Sequence, residues 1–265
     1  MKEIYQSNGG DKMPRGPRRR SESGLYHVML RGINRQIIFE SEDDRYQLLS
    51  TLKRLIDKNS FVLYGYCFMD NHIHMLIQEL EDDISNVMKR ICSSYVLWYN
   101  KKYERSGHLF QERFKSQPVE NDNHFLMVLR YIHQNPLSAG LCKELLEYKW
   151  TSYREYITEP IIIDTEMCLS ILSLDKEKAV DLFIDFMNQE NEDVFPEFED
   201  NISLTDAEVL KKLHDMGIRN ISELQKAEKN RRNSCIKTLK KTKGISLRQI
   251  SRVTGISKSI IERIK

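Results

Sequence analysis

Residues 61–80 read FVLYGYCFMDNHIHMLIQEL. Two runs rich in aromatic and aliphatic residues flank the dipeptide Asp70-Asn71, which is a two-residue hairpin signal. Strand side chains alternate, so His72 and His74 share one face while Ile73 and Met75 take the other. Two imidazoles on one strand face either fill a core or present two ligands to one ion. The hairpin sets the fold class, and the histidine pair raises the functional question.

Upstream, GLYHVMLRGI (24–33) reads as a first strand closed by Gly32. SEDDRYQLLSTLKRLIDKN follows, with Ser41 as N-cap and acids in its first turn. Leu48, Leu49, Leu52, Leu55 and Ile56 give this helix an apolar stripe. Downstream of the hairpin, residues 84–103 form a long amphipathic helix that Tyr95, Trp98 and Tyr99 pack onto the sheet. HLFQERFKSQPVE gives a loop and short strand. NDNHFLMVLRYIHQN gives a helix from a cap at Asn121 or Asp122 to a stop at Pro136. Strand, helix, hairpin, helix, strand, helix describes an α+β sandwich of ferredoxin-like type, with helices packed on an antiparallel sheet.

This domain is expected over 24–157, after a flexible basic segment at 1–23, in which Met13 is a second candidate start. An acidic helical connector is expected over 158–203, including ENEDVFPEFED (190–200). A helical DNA-binding domain then spans 204–265. In LRQISRVTGISKSIIERIK, Gly255 suits the turn of a helix-turn-helix. Ile256, Ile261 and Ile264 support the second helix, which leaves Ser257, Lys258 and Ser259 facing outward towards a DNA groove.

Charge is segregated behind a formal net charge of +2. The first twenty residues carry six Lys/Arg against two acids, and the stretch from Glu208 onward carries sixteen against five. Between them acids far outnumber bases. Basic ends around an acidic middle point to two polyanion-binding parts joined by a connector. An apolar content of 40% and a charged content of 30% fit a globular protein. The absence of a run of about eighteen apolar residues predicts no membrane span. The polar N-terminus and five scattered cysteines without a CxxC pair predict a cytoplasmic protein with reduced thiols.

In RYIHQNP, Tyr131 and Asn135 are four apart and lie on one helical face. A phenol beside an amide oxygen and a histidine pair suits metal-assisted phosphoryl chemistry; the plain alternative for Tyr131 is a core aromatic. His133 falls nearly opposite Tyr131, away from any such site. Arg31, Asn34 and Arg35 in RGINR, and Arg113 and Lys115 in GHLFQERFKS, are candidates for phosphate contact. Phe110 and Phe114 suit either base stacking or the core. His27 suits the core or a position behind the metal.

The ordered blocks YHVMLRGINR, YCFMDNHIHMLI, GHLFQERFKS, RYIHQNPLSAGL and WTSY, spanning about residues 13–157, are similar to the single-tyrosine HUH transposases. They most resemble the REP-associated tyrosine transposase branch. That resemblance implies the HUH endonuclease fold, with His72, His74 and Asn135 as ligands of Mg²⁺ or Mn²⁺ and Tyr131 as nucleophile. It also implies single-stranded or hairpin DNA as substrate, a 5′-phosphotyrosine intermediate and a homodimer. Two rivals share the motif: a replication or relaxase-type initiator, and a DNA-binding regulator whose HUH site is unused.

Overall fold

The structure is a computed structural model that describes residues 19–190, 195, 204–242 and 244–264. Most of the basic segment expected over 1–23, and the acidic stretch 190–200 apart from Glu190 and Phe195, lie outside the described residues. The chain divides into two compact units, 1–197 and 198–265.

The first unit is built on a four-stranded antiparallel sheet: β1 (Leu25–Arg31), β2 (Phe61–Met69), β3 (His72–Glu79) and β4 (Lys115–Pro118), in the order β2-β3-β1-β4. Helix α1 (Glu42–Ile56) connects β1 to β2 and helix α2 (Ile84–Lys102) connects β3 to β4, so element and strand order are those of a ferredoxin-like sandwich. Asp70-Asn71 is the two-residue turn between β2 and β3, pairing Met69 with His72. The central strands are apolar on both faces, because helices cover both. Val28, Leu30, Ile73, Met75 and Ile77 are fully buried, and so are Leu76 and His27 on the opposite face.

Ser41 and Asp44 form a capping box at the start of α1, with the Ser41 N–H donating to Asp44 Oδ2 at 2.9 Å. The buried Asp44 also accepts from Lys102 Nζ at 2.7 Å and from the Tyr103 hydroxyl at 2.9 Å, tying α1 to the end of α2. Burial alone would raise its pKa, but Lys102, the Ser41 N–H and Tyr103 together hold it below the ordinary carboxylate value. The stability it contributes is therefore present above pH ~4 and is lost as the pH falls through the depressed value. Asp44→Asn is expected to cost about 3 kcal/mol, read from the urea midpoint at neutral pH, with a smaller difference from the parent at pH ~3.

Helix α3 (Asp122–Ser138) begins at Asn121, whose side chain accepts from the His124 N–H at 2.9 Å. The stop expected at Pro136 is not observed; the helix runs on to Ser138. Proline removes the hydrogen bond to the fourth residue before it and crowds that carbonyl, yet the final turn still closes through Ala139 N–H to Asn135 O and Leu141 N–H to Pro136 O.

Residues 158–190, read from the sequence as connector, pack into the first unit. After α4 (Tyr153–Ile157) come α5 (Glu166–Leu172) and α6 (Lys176–Met187), whose Cys168, Ala179, Phe183 and Met187 join the main core. Met187 and Gln189 carbonyls accept from Gln134 Nε2 at 2.8 Å each. The Arg130 guanidinium lies 4.4 Å from the Phe186 ring centroid. These contacts fix α3 along its length.

The second unit contains α7 (Asp206–Asp215), α8 (Ile221–Lys226), α9 (Lys229–Lys241), α10 (Leu247–Thr254) and α11 (Lys258–Arg263) around a core that includes Leu213, Ile236, Ile250 and Ile261. Gly255, between α10 and α11, has φ +69°, and a Cβ there would sit 2.6 Å from Gln225 Nε2. Gln225 donates to Thr254 O at 2.9 Å, and Lys240 Nζ donates to Ile264 O at 2.6 Å, so both helices of this pair are closed at their C-terminal ends.

Candidate active site

Strand register brings the site together before any side chain is considered. On β1 Met29 lies opposite His74 and Arg31 lies opposite His72; Met29 also lies opposite Lys115 on β4. Directly paired residues share a face, so His72, His74, Arg31, Lys115 and His27 all project from one side of the sheet. Helix α3 crosses that side. Its Tyr131 ring centroid is 5.5 Å from that of His74 and 5.7 Å from that of His27. One helical turn later, Asn135 Oδ1 lies 3.4 Å from His72 Nε2. The tyrosine, the histidine pair and the amide therefore meet within a single chain.

Helix α3 has two neighbouring pairs at a spacing of four. Arg130 and Gln134 face α6, and Tyr131 and Asn135 face the histidines. His133 points elsewhere: it is buried, its Nε2 is 2.8 Å from Ser152 Oγ, and burial lowers its pKa to about 3.

His72 is oriented by its neighbour. Asn71 Nδ2 donates to Arg35 O at 3.4 Å, which turns Asn71 Oδ1 towards His72 Nδ1 at 2.6 Å. An amide oxygen only accepts, so neutral His72 carries its proton on Nδ1 and has a lone pair on Nε2. That lone pair faces the Asn135 amide oxygen across 3.4 Å. Two acceptors so placed suit a cation between them, because ligands bonded at about 2.1 Å and at right angles lie roughly 3.0 Å apart. His74 is buried, and burial, with His27 and His72 beside it, holds its pKa well below the ordinary value. Burial thus favours its neutral form. No cluster of three or more His, Cys, Asp or Glu able to hold a metal occurs among the described residues. Two imidazoles and one amide oxygen are groups that could hold a divalent ion, and no thiolate stands among them.

The candidate DNA contacts fall in four places. Arg31 borders His72, and Lys115 lies two strands from His74. Asn34 and Arg35 are exposed on a tight turn, both at positive φ. Gly32 makes that turn possible, because a Cβ there would lie 2.2 Å from the Gln36 carbonyl oxygen. Arg113 is exposed ahead of β4, whereas Phe110 and Phe114 pack against the core. In the second unit Ser257, Lys258 and Ser259 are exposed at the start of α11.

Two neighbours of the site were not anticipated. From the sequence Asn71 carries only turn chemistry. Phe195, from the acidic stretch, is buried with its ring centroid 4.8 Å from that of Tyr131 and 6.0 Å from that of His27. An aromatic between acids was the one available signal.

Part of the chain is similar to known proteins. Residues 21–135 match the family model described as IS200-like transposase, a span that ends on Asn135. Residues 21–135 are therefore similar to the IS200-like transposases. A REP-associated tyrosine transposase of Haemophilus influenzae is 24% identical over 124 residues, covering 42% of this chain and 70% of that protein. A solved structure of a REP-associated tyrosine transposase bound to a REP hairpin aligns with a TM-score of 0.47 at 17% identity, over 56% of this chain and 87% of the other. The matched span thus holds the four candidate groups, and the second unit lies beyond it.

Proposed function

We propose that this chain is a transposase that cuts and rejoins single-stranded DNA at hairpins through a covalent bond to Tyr131. The observation that carries the reading is the meeting of Tyr131 with His72, His74 and Asn135 on one face of the sheet. In the proposed step the Tyr131 oxygen attacks a backbone phosphorus and loses its proton. The bond from phosphorus to the 3′ oxygen breaks, and that oxygen takes up a proton as a free 3′-hydroxyl. The 5′ side remains as phosphotyrosine, an ester close in energy to the one broken, so a 3′-hydroxyl can reverse the step without ATP. A divalent ion, which His72, His74 and Asn135 would hold, would withdraw charge from the phosphate and ease formation of the phenolate.

The remaining residues bind and orient. Arg31 and Lys115, on the same face, hold the phosphates that flank the cut, while Asn34, Arg35 and Arg113 extend that contact at the sheet edge. Ser257, Lys258 and Ser259 meet duplex DNA from the second unit. Lys258→Ala is expected to weaken duplex binding by roughly threefold to tenfold for all sequences alike and to reduce the salt slope by about one, measured by fluorescence anisotropy. The homodimer implied by the resemblance belongs to this proposal; light scattering measures it.

The test is incubation with labelled hairpin-bearing single strands and Mn²⁺. A denaturant-resistant protein–DNA adduct is expected. Hairpin binding without any adduct would instead select the regulator with an unused site.

A further inference from the structure

His27 stands directly behind the candidate metal ligands, and nothing in the proposed mechanism uses it. It sits on β1 two residues before Met29, the partner of His74, which makes His27 and His74 diagonal neighbours on one sheet face. Its side chain is fully buried, and its ring stacks with that of His74 at a centroid separation of 5.2 Å. His27 Nε2 and His74 Nδ1 are 3.0 Å apart, within hydrogen-bond distance. The other nitrogen of His27, Nδ1, is buried and has no hydrogen-bond partner.

We infer that His27 is a positioning residue that accepts a hydrogen bond from His74 Nδ1 and thereby presents His74 Nε2, with its lone pair, to the metal. This rests on the reading of His72, His74 and Asn135 as metal ligands. One proton lies between the two rings, and its position decides whether His74 can ligate. If His27 donates, His74 must carry its own proton on Nε2 and cannot bind an ion there. If His74 donates, its Nε2 is available, His27 accepts at Nε2, and the His27 proton moves to the unpartnered Nδ1. Metal-bound histidines usually donate their second N–H to a carboxylate, carbonyl or water, which fixes ring angle and tautomer. Here a neutral imidazole takes that part for His74, and the Asn71 amide takes it for His72. Both ligands are then oriented by uncharged acceptors, so the orienting groups add no negative charge to a site that must admit a phosphodiester.

The experiment is Mn²⁺ titration of the full chain, followed by the electron paramagnetic resonance of free Mn²⁺, with thermal melting as a check on folding. His27→Phe keeps a ring of similar size and removes the acceptor; its Mn²⁺ affinity is expected to fall roughly tenfold to a hundredfold. His27→Gln places an amide oxygen near the former Nε2 and is expected to stay within about threefold of the parent. A folded His27→Phe protein with parental affinity overturns the inference. His72→Ala separates this from the underlying reading: if His72→Ala also leaves the affinity unchanged, the ligand assignment fails and the inference goes with it. Should His27→Phe not fold, nitrogen-15 spectra of the parent loaded with diamagnetic Mg²⁺ decide. A proton on His74 Nδ1 is expected, and its absence refutes the role.

Discussion

Tyr131→Phe is expected to give no denaturant-resistant adduct with hairpin DNA and to lower strand cleavage by at least about a thousandfold, while hairpin affinity is expected to stay within about twofold of the parent. The substitution removes one oxygen and leaves the ring that packs against His27, His74 and Phe195. Loss of a single hydroxyl hydrogen bond costs about 1 kcal/mol, too little to unfold the domain. Neighbouring phenols are not substitutes. Tyr64 donates to Gln78 Oε1 at 2.6 Å, Tyr66 to Glu155 Oε1 at 3.0 Å and Tyr156 to Tyr64 O at 2.8 Å. Burial, followed by the nearby Asp164 charge, pushes Tyr64 up to about 12, and burial raises Tyr66 and Tyr156 as well. A phenol with a raised pKa makes a poor nucleophile at neutral pH. The measurement is a denaturing gel with labelled DNA alongside a binding isotherm. An adduct of parental yield in the variant would remove Tyr131 as nucleophile and send the search to another oxygen.

The parts of this site that could be read from the chain are those set by local periodicity. Alternation in HIH and the spacing of four between Tyr131 and Asn135 each require only one element to be assigned. Ser41 and Asn121 announced their helices through cap chemistry, and Gly255 its turn through the need for positive φ. What could not be read depends on which elements lie side by side. The approach of His27 to His74 follows from β1 standing next to β3 in register, which alternation within either strand does not contain. The hold of α6 on α3 through Arg130 and Gln134 spans more than fifty residues and joins polar groups that carry no pattern. An acidic composition over 158–203 suggested a connector, yet Phe183 and Met187 are fully buried, because a helix with one apolar stripe packs whatever its outer face carries. Asn71 was hidden for another reason. Asparagine in a two-residue turn already has a sufficient backbone explanation, and its second role is visible only once Arg35 O and His72 Nδ1 are both in place.

That second role sets up a graded test of the proposed metal site. His72→Ala is expected to weaken Mn²⁺ binding at least about a hundredfold, because a direct ligand is lost, and to lower cleavage with it. Asn71→Ala keeps the imidazole but frees it to rotate and to place its proton on either nitrogen, so the expected loss is smaller, roughly tenfold. Asn135→Ala should fall between them: it removes the oxygen facing His72 Nε2 while leaving both imidazoles oriented. Chelation followed by return of Mn²⁺ should restore the parent fully, restore Asn71→Ala at higher Mn²⁺, and leave His72→Ala near its basal rate. A structural histidine pair would give another pattern. His72 is only partly buried at the start of β3, so truncating it would change little in either metal affinity or stability, and Asn71→Ala would then be silent too. The order of the three variants in metal affinity, taken together with unchanged melting temperatures, separates a metal centre from a packed strand.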